Sequence, residues 1–362
     1  AAGGVSALND LSDAKTLDSG QTIGIGTNAL ANDDGSDNFN TALGYKAGED
    51  ITSGTGGVFV GYEAGLQATT SNYPIAIGYE AIGVGVMTGT DNTAIGRQAG
   101  NDLTSGTYNV MMGYQAGFNA TTASNSIAIG KGAIGTGILS GDNNIVFGNG
   151  AGDALTSGAG NFIAGTGAGA TITTASNSIA IGNYAMGTAT ITGADNISFG
   201  FFTGKGLTSG SGNFFAGSRA AQAVTTGIRN VAIGYEALAV GVLTGDYNVA
   251  VGFNAGNDLT TASYGIMMGY QAASNATTAE RTIAIGYNAI YSGVLTGADN
   301  IAIGSNAGQD LTSGAYNNFM GYQAGDSATT GSYNIGLGYD AIGLGVTTGN
   351  YNIAVGYRAG YD

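Results

Sequence analysis

The 362 residues contain no cysteine, histidine or tryptophan, and a single proline, Pro74. The missing Cys and His exclude disulfides, zinc sites of the ordinary kind, cysteine nucleophiles and histidine-based triads. Charge is scarce too. Nine Lys and Arg against 24 Asp and Glu leave a formal net charge of −15. That sign speaks against nucleic acid or an anionic membrane surface as a partner. No apolar run approaches the roughly 18 residues that span a bilayer, so no membrane insertion is expected. Ala1 stands where an initiator Met would be, which reads as a processed or excised chain.

Glycine is abundant, with 68 residues, but follows no G-X-Y period, so a collagen triple helix is excluded. Apolar residues make up 43% of the chain and recur at fixed places, which argues against disorder.

The recurrence is a short motif such as Asn144-Ile145-Val146-Phe147-Gly148. Counted on its glycine it starts at Gly26, Gly44, Gly61 and Gly78, and ends at Gly304, Gly321, Gly338 and Gly356. Successive steps run 18, 17 and 17 residues throughout, so three steps make 52. A period of this size is the signature of a solenoid, in which each unit buries its apolar side against its neighbours. The expected fold is all-β: a parallel β-solenoid (β-roll) of about twenty 17–18-residue coils with a 52-residue super-repeat. Residues 1–22 lie outside the repeat and are read as an N-terminal cap or a linker and assembly segment. Residues 23–362 form the repeat domain, and the last unit stops partway through a coil, so either the natural chain continues or another chain covers that end.

Within each unit, apolar residues sit three and one before the glycine (Ile145 and Phe147, for example) and are expected to form two buried columns. Three after the glycine is alanine in every unit except one, where Thr203 stands, as if there were little room. The glycine itself is expected to provide close backbone approach or a φ that other residues resist. Asn four before it, as at Asn144, suits the turn into the strand and a ladder of stacked amides. The Thr/Ser/Gly segment that follows is read as a second, shorter strand.

Two before the glycine, every third unit carries a large apolar residue: Phe59, Met111, Ile163, Phe215, Met267 and Phe319. This position should face away from the core. The six are read as a subunit contact that docks against a neighbouring chain, or else the true rung is 52 residues and they stack in one column.

SNSIAIG, at Ser124–Gly130 and Ser176–Gly182, and the variants NTAIG, NVAIG and NIAIG followed by alanine, resemble the head repeats of trimeric autotransporter adhesins. They also resemble repeat regions of virus tail fibres and other bacterial surface proteins. The resemblance covers residues 23–361. It implies a left-handed parallel β-roll, association of three chains about an axis, and attachment to host surfaces. The coils here are longer than in that family and alternate 17/17/18.

Just after the glycine stand Tyr45, Tyr62, Tyr79, Tyr114, Tyr235, Tyr270, Tyr287, Tyr322, Tyr339 and Tyr357. Such a stripe is read either as a binding surface for sugar rings or a partner protein, or as rings that shield the glycines and pack on the next coil. Asp91, Asp142, Asp195, Asp246, Asp299 and Asn350 recur in one turn, where calcium is the sharp reading and turn capping the plain one. No metal or other cofactor is expected. Paired threonines such as Thr121-Thr122 raise ice binding, but adjacent strand residues face opposite ways. Glu63, Glu80, Glu236 and Asp340 are the candidates for a glycosidase pair, yet no insertion breaks the repeat to build a cleft. The resulting expectation is a non-catalytic, structural and adhesive fibre protein, extracellular, on a cell surface or virion. Its partners would be copies of itself and a surface glycan or host surface protein. End-to-end polymerisation into a filament is the alternative, and ice binding a weaker one.

Overall fold

The computed structural model describes residues 14–16, 21–35, 38–343 and 348–361. The chain is an all-β parallel β-solenoid, and among the described residues there is no helix. It divides into two compact units, Ala1–Ser178 and Ile179–Asp362.

The first unit contains β1 (Ala14–Thr16), β2 (Ile23–Ile25), β3 (Thr41–Leu43), β4 (Val58–Val60), β5 (Ile75–Ile77), β6 (Thr93–Ile95), β7 (Val110–Met112), β8 (Ile127–Ile129), β9 (Ile145–Phe147) and β10 (Phe162–Ala164). From β2 onward each strand pairs in parallel with the next, in register: Val146 lies against Ala128 on one side and Ile163 on the other. β1 pairs antiparallel with β2. Among the described residues of 1–22 it is the one strand; most of that segment lies outside them.

The second unit contains β11 (Ile179–Ile181), β12 (Ile197–Phe199), β13 (Phe214–Ala216), β14 (Val231–Ile233), β15 (Val249–Val251), β16 (Ile266–Met268), β17 (Ile283–Ile285), β18 (Ile301–Ile303), β19 (Asn318–Met320), β20 (Ile335–Leu337) and β21 (Ile353–Val355). Its strands stack in the same way, again parallel and in register. Each 17- or 18-residue coil is therefore one rung, and the 52-residue rung is ruled out.

Among the described residues only three per coil are regular strand. The Thr/Ser/Gly segment expected as a second strand is irregular chain with bends, flanked by left-handed corners. In the coil of Gly96 these are Gln98 and Gly100, followed by Tyr108 ahead of the next strand. Bonds between coils persist there nonetheless: Thr104 N–H donates to Thr121 O at 2.9 Å, and so does the Thr104 hydroxyl.

The repeat glycine meets both expectations. Gly148 has φ +134°, and a Cβ on it would lie 2.5 Å from Gly165 O in the coil below. The asparagine ladder also forms. Asn144 Nδ2 donates to Gly141 O and Gly158 O, both at 2.9 Å, in a fully buried position.

The inside–outside assignment of the strand is the reverse of the one expected. The middle residue points inward: Val146, Ala128, Phe59 and Met111 are buried, as are Phe215, Met267 and Phe319 in the second unit. The flanking residues, Ile145 and Phe147 among them, lie on the outer face, half-buried. Phe59, Met111, Ile163, Phe215, Met267 and Phe319 are therefore core residues and not an outward subunit contact. The reason is room. A coil of this length with several tight corners has a narrow lumen, so alanine is the common inward residue and the branched side chains are left outside.

The 52-residue cycle describes how that lumen is filled. One coil in three has a large residue in mid-strand, like Phe59, and a small one six further on: Gly65 lies beneath the Phe59 ring, and Ala221 and Ala273 hold that place after Phe215 and Met267. The next coil has alanine in mid-strand (Ala76) and places its large residue after the turn, at Ile82. The third is small at both places, Ala94 and Gly100, and accepts Ile82 from one side and Met111 from the other. Ile51, Met87 and Leu103 close the third wall.

Candidate interaction surface

The surface of each unit follows from that packing. Outward residues of successive strands line up in register, so Ile127, Ile145 and Phe162 form one row and Ile129, Phe147 and Ala164 a second. In the second unit Val231, Val249 and Ile266 lie beside Ile233, Val251 and Met268. The result is a largely apolar sheet face, half-exposed along each unit. Sequence reasoning missed it by assigning these residues to the core.

An aromatic ladder runs along the strand ends. Tyr45, Tyr62 and Tyr79 stack with centroids 5.1 Å apart, and Tyr235, Phe253, Tyr270 and Tyr287 stack at 5.1–5.4 Å. Tyr322, Tyr339 and Tyr357 make a further run at 5.0–5.3 Å. The spacing is the coil repeat itself. Each ring thus covers its neighbour's face, and edges and hydroxyls are what the ladder offers to solvent. Hydrogen bonds to Glu63 and Glu80 hold the Tyr62 and Tyr79 hydroxyls above the ordinary tyrosine range. Tyr114 is separated from Tyr79 by Arg97, whose guanidinium lies 5.7 Å from the Tyr79 centroid and 5.4 Å from that of Tyr114.

A second ladder flanks the other end of the strand. Tyr247 stacks on Tyr264 at 5.2 Å, and Tyr316, Tyr333 and Tyr351 stack at 4.9 and 5.1 Å. Its sequence signal is an aromatic five residues before the repeat glycine, in a left-handed corner (Tyr264 has φ +61°).

Several of the turn acids have partners within the coil stack. Asp142 Oδ1 accepts from Ser124 N at 2.7 Å and Asp246 Oδ1 from Ile228 N at 2.8 Å, so they cap the preceding coil and not their own turn. Asp299 pairs with Arg281 at 2.6 Å, which holds its carboxyl below the usual carboxylate range. Among the described residues no three acidic groups converge as a metal site would require. In three of the pairs the first threonine turns its hydroxyl towards backbone: Thr121 donates to Leu139 O at 3.4 Å, Thr225 to Leu243 O and Thr277 to Leu295 O at 3.5 Å. Of the four candidate carboxylates, Glu80 accepts from Gln98 at 2.8 Å, Glu236 pairs with Arg219 at 3.1 Å and Asp340 with Arg358 at 3.4 Å. An open groove of about 420 Å³ lies beside Arg219, lined by Phe202, Lys205, Gln222, Glu236, Ala239 and Val240.

No protein-family model matches the chain, and no curated protein sequence matches it significantly. The functional reading therefore rests on the geometry above.

Proposed function

We propose that this β-solenoid repeat protein is a structural and adhesive element of an extracellular fibre, on a cell surface or a virion, without catalytic activity. The observation that carries the reading is the apolar outer face of the sheet. Rows such as Val231–Val249–Ile266 and Ile233–Val251–Met268 remain half-exposed on a rigid, hydrogen-bonded sheet. An apolar surface extended along many strands is of a kind that marks association. Its occupant in this reading is the same face of other copies, which bundles the chains side by side. The association of chains implied by the adhesin resemblance agrees with this, although the lateral contact passes from the mid-strand residues to those beside them. The tyrosine edges then face outward for a glycan or a host surface protein. The net charge of −15 leaves nucleic acid out.

Sedimentation velocity tests the bundle. Replacing Val231, Ile233, Val249 and Val251 together with Thr is expected to return an associated wild type to single chains with the β signature intact. A wild type that sediments as one chain at every concentration refutes it. Binding of the purified protein to a glycan array or to host cells tests the adhesive half.

End-to-end stacking is the second reading. Ile353, Val355 and Tyr357 are 65–74% exposed, far more than their counterparts in inner coils, and among the described residues nothing pairs with the far edge of β21. A further coil, from this chain or another copy, would continue the register. At the other end β1 occupies the edge of β2, so a stacked copy must displace it. Long unbranched filaments under the electron microscope would favour this reading over the bundle.

A further inference from the structure

In the second unit the aromatic ladder is interrupted at Ser305. The rungs before it, Tyr270 and Tyr287, stack at 5.2 Å with planes 10° apart. The rungs after it, Tyr322 and Tyr339, stack at 5.0 Å and 16°. Between Tyr287 and Tyr322 the chain supplies a hydroxymethyl group where other coils supply a ring. Two coil steps, about 10 Å, separate those rings, which is the span of one missing planar group.

The chain itself shows what fits such an interval. In the first unit, Arg97 occupies the equivalent rung, and its guanidinium lies between Tyr79 and Tyr114. The electron-rich faces of two tyrosines favour a cation, and a planar guanidinium stacks where a tetrahedral ammonium does not. Ser218 is the other serine rung, between Phe201 and Tyr235. There the adjacent Arg219 leans in, 3.2 Å from the Tyr235 hydroxyl, and is held by Glu236 at 3.1 Å. The residues after Tyr287, Ser305 and Tyr322 are Asn288, Asn306 and Gln323, so no neighbouring cation serves this rung.

We propose that the Tyr287–Ser305–Tyr322 interval is a binding slot for a guanidinium group, an arginine side chain presented by a partner protein. The slot lies at the strand end and works whether or not the sheet faces associate, so the two readings fail separately.

Saturation-transfer NMR on the full chain tests it, with N-acetylarginine amide as probe and N-acetyllysine amide and methyl glucoside as comparisons. Transfer to the arginine δ-methylene protons is expected to fall roughly threefold to tenfold in Ser305→Tyr, which completes the ladder with the residue common at this place. It should fall equally in Ser305→Arg, which fills the slot from within. A second substitution, Tyr287→Leu, should lower transfer as well, and circular dichroism checks that each variant keeps its β signature. Four results overturn the proposal: equal transfer in wild type and Ser305→Tyr, equal transfer to lysine and arginine, Ser305-dependent transfer to the sugar instead, or no transfer to arginine at all.

Discussion

Asn144 Oδ1 accepts from both the backbone N–H and the side-chain Nδ2 of Asn161, one coil on, at 3.1 and 3.0 Å. Its own Nδ2 spans two backbone carbonyls, so a single buried amide joins three stretches of chain.

Asn144→Ala is expected to cost about 2–4 kcal/mol, since it strands buried donors and acceptors on its neighbours. Asn144→Asp should be no better, because a carboxylate cannot donate to Gly141 O and Gly158 O. Chemical denaturation measures both, and hydrogen exchange should show the loss centred on residues 141–161.

Phe59 and Phe147 make a paired test of which side of the strand is inside. Phe59→Ala should cost about 3–5 kcal/mol by opening a cavity in a closed lumen. Phe147→Ala, on the outer face and 37% exposed, should cost about 1 kcal/mol or less. Equal costs would contradict the orientation described above.

Thr203 is the one departure from alanine after the turn, and its hydroxyl donates to Gly217 O at 2.6 Å. Thr203→Ala restores the residue that every other coil uses. It should therefore shift stability by about 1 kcal/mol or less in either direction, whereas Ala151→Thr, at the equivalent place in the first unit, introduces a hydroxyl into a fully packed position and should destabilise more.

Two acids should respond to pH with opposite signs. Burial raises the Asp102 carboxyl, so the folded state holds its proton more tightly than the unfolded chain. Stability from this group falls as pH rises from the ordinary aspartate range through the raised value, and the cost is fully present at neutral pH. Asp102→Asn should therefore raise the thermal midpoint at neutral pH and give no gain at about pH 3. Hydrogen bonding to Arg281 lowers Asp299, so its contribution is present above the ordinary aspartate range and is lost as pH falls through the lowered value. Asp299→Asn should lower the midpoint at neutral pH, modestly because the pair is exposed, with the difference closing in acid. Calorimetry across pH checks both signs.

The architecture was legible because the period is unbroken. Gly148, Ala151 and Asn144 each announce a geometric need: a backbone contact, a narrow corner and a buried amide. The face of the strand was not legible. Ile145 and Phe147 look like core by hydropathy, and Val146 and Ala128 look like surface by size. Only the closeness of the opposing walls, set by corners such as Gln98 and Gly100, reverses that order. The same blindness hid the meaning of Phe59, which reads as an outward knob until Gly65 is seen beneath it. The tyrosines after the glycine were legible as a stripe, but the mutual covering of their faces depends on in-register stacking that no single repeat reveals. That is also why an exception such as Ser305 carries more information than the rule it breaks.

The rotation of bulk through Phe59, Ile82 and the permissive Gly100 sets a grain size for changes in length. Inserting or losing a single coil within a unit would bring two large inward groups together or leave two small ones facing a void. Gaining or losing 52 residues returns the sequence of volumes to phase. Recombination between repeats therefore has a natural quantum of three turns, and viable relatives of different reach should differ by whole multiples of it.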